Sequence, residues 1–600
     1  MWGMSAVSEA DRLDRVQTLK VLRRAFVMAR AQRRLFLSAL GFVFVGTLVT
    51  LAGPTLVRYG IDHGIRTKNG SALNRTVALY VLVVIVGYIT ARMQFIAINR
   101  AGEGFLRELR ITVFGKLQKQ SMAFFDREKA GVLVSRMTAD IESMSELVQF
   151  GLLQFVSAFL LLILATVLLA VLSWQLLIVA MVVLPVLIVA SIKFQRISNN
   201  AYLDVRENVG NNLSTLQEGI TGVRVIQASG QQENRSKRFR LSNRALFDSH
   251  MYSVKISTWY FGLVEFAGIA ATGAIIGFGG YLVHQGTATI GTVTAFVLLL
   301  ANLFDPVQQL SQLYNTVQSS TAALHKLFVI IDAVPDVDEV AHPTELSTRG
   351  ALMVDHVTFA YAGNDREVLK DVTISVADGE RLALVGPTGA GKSTLAKLMA
   401  RLYDPSEANG HRGTVSYGGV DLRQASNSDL RRRIVVVPQE GFCFSGSIRE
   451  NIRIARSTAS DGEVEEALVS IGALERFTEF PEGLDTDVRE RGSRLSAGER
   501  QLIALARAAL VNPAVLVLDE ATSNLDPGTE AVVEHALESL MIGRTVIVVA
   551  HRLSTIRRAD RIGVIDHGEL VELGTHAELV ELKGRYAALS DAWDRSQPQR

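Results

Sequence analysis

The chain has 600 residues, 48% of them hydrophobic, and its 62 lysines and arginines nearly balance its 60 aspartates and glutamates. This length exceeds what one hydrophobic core supports, so two or more domains are expected. The formal net charge of +2 is too small to suggest nucleic acid as a partner, and a single cysteine, Cys443, excludes an internal disulfide framework.

The N-terminal segment is polar and repeatedly charged before any apolar core begins, which is not the pattern of a secretory signal peptide. Within it, residues 17–30 alternate apolar and basic positions at helical spacing. This pattern predicts an amphipathic helix at the cytoplasmic membrane interface. An ordinary solvated lead-in helix is the alternative.

Six apolar runs follow, each close to the ~20 residues that a helix needs to cross a bilayer core. They cover residues 36–57, 77–98, 149–172, 176–192, 260–283 and 293–311. Lysines and arginines cluster before the first run, after the second and after the fourth, which the positive-inside rule places in the cytoplasm. The first outer loop is an exception, because it carries Arg58, Arg66, Lys68 and Arg75. We therefore expect a six-pass integral protein of the cell membrane.

Two connections between the runs, at about 99–148 and 193–258, are far longer than a helix hairpin requires and contain few helix breakers. At ~1.5 Å per residue, about twenty helical residues on each side of a connection would extend ~30 Å beyond the membrane. We therefore expect helical extensions whose tips, Phe124–Gly131 and a segment near Glu218–Arg224, contact something in the cytosol.

The composition changes after about residue 325, where the long apolar runs end. Residues 331–350, which include two prolines, are predicted to be a linker. After it, strands and helices alternate. The predicted organisation is an all-α transmembrane domain over residues 1–330, the linker, and an α/β domain over residues 351–600.

A glycine-rich template, G-x-x-x-x-G-K-[ST], follows the apolar run 382–385, which is predicted to be a strand. Its residues are Gly386, Pro387, Thr388, Gly389, Ala390, Gly391, Lys392 and Ser393. Glycines let the backbone bend round phosphate oxygens, and the following helix points its N–H groups at negative charge. Lys392 would reach the β- and γ-phosphates of a nucleoside triphosphate, and Ser393 would hold Mg²⁺. A glycine-rich turn that binds nothing is the alternative.

A second apolar strand, residues 515–518, ends in two carboxylates about 130 residues after the glycine-rich template. In a P-loop NTPase domain, Asp519 would hold the Mg²⁺, directly or through water. Glu520 would polarise the water that attacks the γ-phosphate. An apolar strand that ends in Asp-Glu is common, and its place after the template is what points to nucleotide hydrolysis.

The segment Leu495–Gln501 resembles the signature sequence of the ATP-binding cassette (ABC) transporters. From about residue 20 to about 585, the chain resembles their exporter-type half-transporters, in which six membrane helices precede one nucleotide-binding domain. The resemblance implies a dimeric ATP hydrolase coupled to transport. It also implies that the signature acts on ATP held by the partner's P-loop, through Ser496, Ala497, Gly498 and Glu499.

The resemblance assigns further residues. Tyr361 takes the place of the aromatic that stacks on adenine, although packing on the core would explain this residue by itself, and Thr394 belongs to the same ATP-binding set. Gln439 corresponds to the glutamine that senses Mg²⁺ and the attacking water. Asp526 lies in a loop that crosses the dimer interface, and His551 matches the histidine that contacts the γ-phosphate.

Two segments depart from the family pattern. Ala497 and Glu499 stand where the signature usually has glycine and glutamine, and Arg489 stands where a glycine is usual. A carboxylate at position 499 would weaken phosphate binding unless a basic neighbour such as Arg500 offsets it. The chain's own catalytic residues are intact. We therefore expect a heterodimer whose partner carries a degenerate site, in preference to a homodimer with two equivalent sites.

The expected function is ATP-driven export of a hydrophobic or amphipathic substrate by alternating access. An importer or lipid flippase on the same fold and a nucleotide-gated regulatory protein are alternatives, and intact Glu520 and His551 argue against the regulatory protein. The membrane runs exclude a soluble cassette ATPase unless they are core helices. Polar residues inside these runs could line a cavity or serve helix packing, so drugs, lipids and peptides remain possible substrates. These residues are Arg92, Gln94, Glu265, Asn302 and Asp305.

Overall fold

The computed structural model describes residues 14–363, 366–408, 410–519, 527–550 and 553–596. The chain forms two compact units. The first comprises Met1–Gln118 and Ala130–Ala333, and the second comprises Lys119–Lys129 and Val334–Arg600. A short stretch from the apolar half of the chain therefore folds with the second unit.

Helices dominate the chain up to residue 333. In chain order they are α1 (Arg15–Met28), α2 (Arg33–Tyr59), α3 (Gly70–Leu117), α4 (Met122–Arg127), α5 (Ala130–Ser135), α6 (Ile141–Glu146), α7 (Leu152–Leu172), α8 (Trp174–Met181), α9 (Val183–Thr221), α10 (Val223–Ala228), α11 (Gln232–His284) and α12 (Ile290–Asp332). Turns of 3₁₀-helix at Ala29–Gln32 and of π-helix at Gly60–Ile65, Arg136–Asp140 and Leu147–Gly151 lie between them. All of these elements except α4 belong to the first unit.

Membrane-spanning character is found where the apolar runs predict it. Among the described residues, five helical stretches are long and apolar enough to cross a bilayer: Val16–Ile65, Gly70–Leu117, Ala130–Leu172, Trp174–Thr221 and Gln232–His284. A shorter apolar stretch, Ile290–Pro306, begins α12 and contains the start of the sixth predicted run. The fourth predicted run, 176–192, lies within the stretch Trp174–Thr221, which is interrupted only at Val182, between α8 and α9.

The predicted helical extensions are present. α3 has 48 residues and α11 has 53, so each continues far beyond the ~20 residues of a membrane crossing. At the first predicted tip the chain forms the short helix α4. At the second, α9 ends before Gly222 and the short helix α10 follows.

The interior of the first unit is mainly apolar and contains a hydrogen-bonded polar pair. Leu169, Ile275 and Leu299 are fully buried in a core shared by α7, α11 and α12. In the same core, the Tyr260 hydroxyl and Ser191 Oγ form a buried hydrogen bond of 2.7 Å. Since a buried hydroxyl without a partner is costly, this pairing keeps the polar pair compatible with the core.

A carboxylate holds the start of α12. Asp62, in the turn after α2, accepts hydrogen bonds from Thr289 Oγ1 at 2.6 Å and from the backbone N–H of Gly291 at 3.1 Å. A Cβ atom at position 291 would lie 2.6 Å from the carbonyl oxygen of Arg58, so only glycine fits. The negative charge also lies at the positive end of the helix dipole. Asp62 therefore clasps the end of the first membrane stretch to the beginning of α12.

The second unit alternates strands and helices. Its strands are β1 (Leu352–Phe359), β2 (Leu369–Val376), β3 (Arg381–Val385), β4 (Glu407–Ala408), β5 (His411–Arg412), β6 (Thr414–Tyr417), β7 (Val420–Asp421), β8 (Ile434–Val437), β9 (Val515–Asp519), β10 (Thr545–Val549), β11 (Arg561–Asp566) and β12 (Glu569–Gly574). Its helices after α4 are α13 (Lys392–Met399), α14 (Asn427–Arg433), α15 (Ile448–Arg453), α16 (Asp461–Ser470), α17 (Leu474–Thr478), α18 (Ala497–Val511), α19 (Pro527–Met541), α20 (Leu553–Arg557), α21 (His576–Glu581) and α22 (Arg585–Ser596). Short 3₁₀ turns lie at Leu422–Gln424, Gly483–Asp485 and Glu490–Gly492.

The main sheet has six strands in the order β12-β11-β3-β10-β9-β8, parallel except for β12 at one edge. Residues of β3 and β9 are almost continuously buried, which explains why both read as unbroken apolar runs. An antiparallel sheet, β2-β1-β6-β7, packs with strands of the main sheet around one core. A second core is formed by the helices α15, α16 and α18.

The region predicted to be a linker, residues 331–350, is held by specific bonds. α12 continues to Asp332, and the chain then packs within the second unit. Buried Arg401 donates through Nη2 to the carbonyl oxygen of Asp338 at 2.7 Å. Leu346 is buried in the core, and its N–H donates to Asp429 Oδ2 at 2.7 Å.

The segment Lys119–Lys129 lies on the same unit. Ala123 packs against the core of the two sheets, and Arg127 Nη2 pairs with Asp336 Oδ2 at 3.0 Å. Ser121 Oγ donates to the same carboxylate at 3.2 Å. The predicted contact between the first helical tip and a cytosolic structure is thus made with the second unit of the same chain.

Candidate nucleotide-binding and catalytic site

Three parts of the predicted site meet at one edge of the main sheet. The glycine-rich loop follows β3, Asp519 ends β9, and Gln439 comes two residues after β8. The carboxyl ends of neighbouring parallel strands face the same edge, which is where α/β sheets bind ligands. The fold therefore brings together a phosphate loop, a carboxylate and an amide that are far apart in sequence.

The loop needs glycine at its two ends. Gly386 has φ 144°, and a Cβ there would lie 2.0 Å from the carbonyl oxygen of Ile565. Gly391 has φ 108° and caps α13. Because Gly391 has no side chain to cap α13, the positive end of this helix dipole faces the loop, where it favours an anionic ligand.

Lys392 places its charge inside the bend of the loop. Its side chain is buried, and Nζ donates to the carbonyl oxygens of Gly386 at 2.8 Å and Pro387 at 3.0 Å. Pro387, Thr388 and Gly389 are exposed at the crest of the loop, and the carbonyl of Ala390 accepts from the N–H of Gly568. An ammonium group in a loop of backbone N–H donors suits phosphate oxygens.

Ser393 and Asp519 form an oxygen pair beside this loop. Ser393 Oγ donates to Asp519 Oδ1 at 3.1 Å. The exposed Gln439 follows β8, the strand next to β9 in the sheet. Hydroxyl, carboxylate and amide oxygens are suitable ligands for Mg²⁺. No group of three or more His, Cys, Asp or Glu side chains with metal-site geometry occurs among the described residues. One carboxylate and one hydroxyl fit an ion that phosphates and water complete, as Mg²⁺ requires.

Tyr361 lies beside the loop and also packs on the core. Its hydroxyl hydrogen-bonds Thr394 Oγ1 at 3.0 Å, in the first turn of α13. Its ring meets Phe359 at 5.0 Å and Tyr403 at 5.5 Å, both edge to face. The two roles considered for Tyr361, core packing and a platform near nucleotide, are therefore compatible.

Tyr403 was not found by sequence reasoning, because a tyrosine after a helix carries no motif. Its hydroxyl donates to Asp126 Oδ2 at 2.5 Å. Burial, followed by this hydrogen bond, raises the pKa of Tyr403 above the usual tyrosine value. The side chain therefore stays a neutral donor and connects α4 to the aromatic group beside the loop.

The signature residues lie at the start of α18, on the second core. Ser496 is the N-cap: its Oγ accepts from the N–H of Glu499, and the Glu499 carboxylate accepts from the N–H of Ser496 at 2.8 Å. This reciprocal arrangement is a capping box, which satisfies two helix-end donors. The spacing Ser-x-x-Glu could have identified it from sequence. Ala497 and Gly498 form the first turn between these two residues.

The basic residue that pairs with Glu499 is not its sequence neighbour Arg500. Arg500 donates to the carbonyl oxygen of Leu495 at 2.7 Å, whereas Arg476 on α17 pairs with Glu499 Oε1 at 2.8 Å. Glu499 is only 5% exposed. Its charge is thus neutralised by a residue 23 positions away, which no local pattern indicates.

The segment that carries Gln439 is packed onto the signature helix. Gln501 Nε2 donates to the carbonyl oxygen of Pro438 at 3.3 Å, and Arg507 donates to that of Phe442 at 2.7 Å. A Cβ at Gly441 would lie 2.2 Å from the carbonyl oxygen of Arg500. The end of β8 and α18 are therefore in direct contact.

The segment before the signature contains a strained backbone. Arg489 has φ 57° and ψ −172°, a combination that is essentially restricted to glycine. Its N–H donates to Asp487 Oδ1 at 2.9 Å. This conformation gives a physical reason for the glycine that is usual at this position in the family.

The remaining predicted residues, Glu520, Asp526 and His551, lie outside the described residues. Glu520 is the next residue in sequence after β9, and His551 comes two residues after β10.

Comparisons with known proteins agree with this geometry. Residues 36–307 match the family described as ABC transporter transmembrane region, and residues 369–523 match the family described as ABC transporter. The uncharacterized ABC transporter ATP-binding protein YknV of Bacillus subtilis is 36% identical over 554 residues, 92% of this chain and 90% of that protein. The ATP-dependent lipid A-core flippase of Syntrophus aciditrophicus is 34% identical over 581 residues, 96% of this chain and 95% of that protein.

Among solved structures, a bacterial Atm1-family ABC exporter with ATP bound superimposes with a TM-score of 0.78 at 27% sequence identity. The superposition covers 94% of this chain and 99% of that one. The helical membrane unit, the α/β cassette and the phosphate loop thus all have counterparts in one group of proteins. The chain belongs to the ABC transporter family, as an exporter-type half-transporter that crosses the membrane several times and couples ATP hydrolysis by its cytoplasmic cassette to transport.

Proposed function

We propose that the chain exports a lipid or another amphipathic molecule, using ATP bound at the edge formed by β3, β9 and β8. The observation that carries the proposal is the Ser393–Asp519 pair at 3.1 Å beside a glycine loop that encloses Lys392. Such a set binds a triphosphate with its metal ion, which is what a transport ATPase needs.

The site residues then have separate roles. Ser393, Asp519 and Gln439 would hold Mg²⁺, which supplies charge neutralisation at the phosphates. Lys392 and the loop N–H groups would orient the β- and γ-phosphates. Tyr361 would stack on adenine with its hydroxyl fixed by Thr394. Glu520 would orient and polarise the attacking water.

His551 would contact the γ-phosphate, and Asp526 would belong to the loop that crosses the dimer interface. The signature residues Ser496, Ala497 and Gly498 would act on ATP held by a second chain. The domain division 1–330, 331–350 and 351–600 gives each such chain one membrane half and one cassette.

The identity of the second chain depends on Glu499. The heterodimer expected from sequence rests on intact catalytic residues combined with an altered signature, and the carboxylate at position 499 is the change that would repel phosphate. In the structure this carboxylate is buried, capped onto Ser496 and paired with Arg476. The neutralised charge supports a homodimer with two equivalent sites over the heterodimer.

The lipid flippase relative supports an amphipathic substrate, and three polar side chains of the membrane part have a suitable position. Arg92, Glu265 and Asp305 are exposed in the single chain, so they are accessible for a cavity completed by a second chain. Export as the direction of transport follows from the relation to exporters.

The proposal is tested with purified protein in vesicles, by ATP hydrolysis and by ATP-driven movement of a fluorescent phospholipid between leaflets. We expect Glu520→Gln to retain ATP binding and to lose nearly all hydrolysis and lipid movement. Glu569→Gln, on the exposed start of β12, is the matched control and should behave like the parent. Undiminished hydrolysis by Glu520→Gln would contradict the role of Glu520, and hydrolysis without lipid movement would contradict the substrate class.

Two differently tagged copies of the chain, expressed together, test the dimer. Joint purification with full ATPase activity is expected for the homodimer. If dimers of this chain hydrolyse ATP only after a second, different chain is added, that result would favour the heterodimer.

A further inference from the structure

The N-terminal helix α1 exposes a face on which large apolar and basic side chains are interleaved. Its exposed apolar residues are Val16, Leu19, Phe26 and Val27, at 58%, 67%, 76% and 45% of their full accessible surface. At 3.6 residues per turn, they share one side of α1 with Lys20 and Arg23, which are also exposed. Val21 lies on the opposite side and is buried.

The charge on this region has one sign. Residues 15–34 contain no aspartate or glutamate and seven basic residues: Arg15, Lys20, Arg23, Arg24, Arg30, Arg33 and Arg34. The first membrane helix, α2, begins within this segment at Arg33, so the end of α1 lies close to the membrane surface. Long basic side chains can bury their stems beside apolar groups while their charges reach lipid headgroups.

Arg24 differs from its neighbour Arg23. The Arg24 guanidinium forms a two-pronged ion pair with Asp332 at the end of α12, and it lies over the ring of Phe328, 4.2 Å from its centroid. Arg24 therefore fastens one side of α1 to α12. This contact is on the side of α1 that meets α12, whereas Lys20, Arg23 and Phe26 are exposed.

We propose that the exposed face of α1 recruits anionic phospholipids of the cytoplasmic leaflet: Phe26 and Leu19 insert among the acyl chains while Lys20, Arg23 and Arg30 bind the headgroups. Charge complementarity selects this occupant, because a face without an acid attracts an anionic surface. The proposal concerns lipids that surround the transporter and does not depend on which molecule is transported. Through Arg24 and Asp332, the recruited lipid is connected to the point where the chain leaves α12.

The test measures which lipid lies next to α1 in the full-length protein. Phe26→Cys carries an environment-sensitive fluorophore, and the native Cys443 is buried and so protected from labelling. The labelled protein is placed in vesicles of phosphatidylcholine with a minority of phosphatidylglycerol, with a quenching group on one lipid or on the other. We expect phosphatidylglycerol to quench about twofold or more above its bulk share, and this excess to disappear in high salt.

Two variants distinguish charge from position. The first is a triple variant in which Lys20, Arg23 and Arg30 are each replaced by glutamine, and it should lose the excess quenching by phosphatidylglycerol. The second, Arg24→Gln, should keep the excess, because Arg24 faces Asp332. A label at Val171→Cys, 79% exposed at the end of α7, is the control and should show no preference. ATP hydrolysis by each variant confirms its fold.

Two results would overturn the proposal. Quenching by each lipid in proportion to its bulk share in the parent would leave only apolar anchoring. Quenching by neither lipid would mean that another molecule, such as an acidic protein, covers the face. Neither result bears on Glu520 or on lipid movement, so a failure here differs from a failure of the proposed function.

Discussion

The hydroxyl of Tyr403 donates to Asp126 Oδ2 at 2.5 Å, while the centroid of the same ring lies 5.5 Å from that of Tyr361 in an edge-to-face arrangement. Asp126 lies on α4, which comes from the long connection between membrane stretches. Tyr361 reaches the first turn of α13 through Thr394. One buried ring thus joins the connection between membrane helices to the group proposed to hold adenine.

We predict that Tyr403→Phe separates ATP hydrolysis from transport. The substitution keeps the ring contacts and removes one hydrogen bond to a carboxylate, worth about 1.5–3 kcal/mol. The rate of ATP hydrolysis should stay within about twofold of the parent, because the bond positions α4 and takes no part in the hydrolytic step. Lipid moved per ATP hydrolysed should fall, and Asp126→Asn, which retains an acceptor oxygen, should have a weaker effect. An unchanged ratio of transport to hydrolysis in Tyr403→Phe would show that the bond carries no coupling.

A second prediction concerns the buried Glu499. Arg476→Ala should lower the free energy of unfolding of the cassette by about 1–3 kcal/mol, because it leaves a buried carboxylate without its cation. Adding Glu499→Gln should restore most of the loss, since glutamine keeps the capping bond without the charge. Thermal unfolding of the purified protein measures both effects. Arg500→Ala is the control. A larger loss of unfolding free energy in Arg500→Ala than in Arg476→Ala would show that Arg476 is not the residue that neutralises Glu499.

Arg489→Gly should stabilise the cassette. The backbone of Arg489 occupies a region that costs about 1–3 kcal/mol for a residue with a side chain, and the exposed side chain is removed without opening a cavity. Glycine adds flexibility to the unfolded chain, so we expect a net gain of about 1 kcal/mol. The readout is the unfolding midpoint in denaturant. Arg494→Gly, at an exposed position of negative φ, should instead destabilise, and a loss in both variants would rule out strain at Arg489.

Replacing one candidate Mg²⁺ ligand should change the Mg²⁺ concentration that ATP hydrolysis requires. Ser393→Ala loses the hydroxyl next to Asp519, and we expect the Mg²⁺ concentration for half-maximal hydrolysis to rise by about tenfold or more, as for a charged hydrogen bond of 1.5–3 kcal/mol. Nucleotide binding in the presence of a chelator should hardly change. Ser393→Thr keeps the hydroxyl and serves as the control. The same Mg²⁺ dependence in the alanine and threonine variants would remove Ser393 from the metal site.

The clasp at the start of α12 gives a prediction for the membrane unit. Gly291→Ala would place a Cβ 2.6 Å from the carbonyl oxygen of Arg58, so the Asp62 contacts must separate. We expect a loss of about 1–3 kcal/mol in the free energy of unfolding. Gly280→Ala, near the end of α11, tests glycine removal in open space and at an ordinary backbone conformation. Asp62→Asn retains one acceptor oxygen, so its loss should be smaller than that of Gly291→Ala. Equal stability of Gly291→Ala and the parent would show that the turn can rearrange.

The membrane architecture could be predicted because its cause is local. An apolar run of about twenty residues has few stable environments other than a bilayer. The strands β3 and β9 were also predictable, because both faces of the sheet are covered there and the strands are therefore continuously apolar. The interruption at Val182 also has a local cause, because Pro185 lacks the N–H that would bond to the carbonyl four residues back. The exact residues that fold with the second unit, Lys119–Lys129, could not be predicted. They depend on which surfaces meet in three dimensions, and this leaves no spacing in the sequence.

The same distinction applies to the site. The loop Gly386–Ser393 and Asp519 carry motifs whose chemistry depends on backbone shape and charge, so sequence was sufficient to place them at one edge. The partner of Glu499 was missed because Arg476 lies on another helix, and proximity in sequence favoured Arg500 instead. Tyr403 was missed because its importance comes only from Asp126 and Tyr361, which converge on it from distant segments.

The bonded segment after α12 bears on how the cassette could be isolated or transplanted. A fragment cut at residue 351 would discard Leu346 from the core and leave Arg401 without the carbonyl of Asp338. Starting at Val334 would preserve both. Even then, the patch normally covered by Ala123 would be bare, and the excised cassette should be prone to self-association unless Lys119–Lys129 is supplied as a peptide.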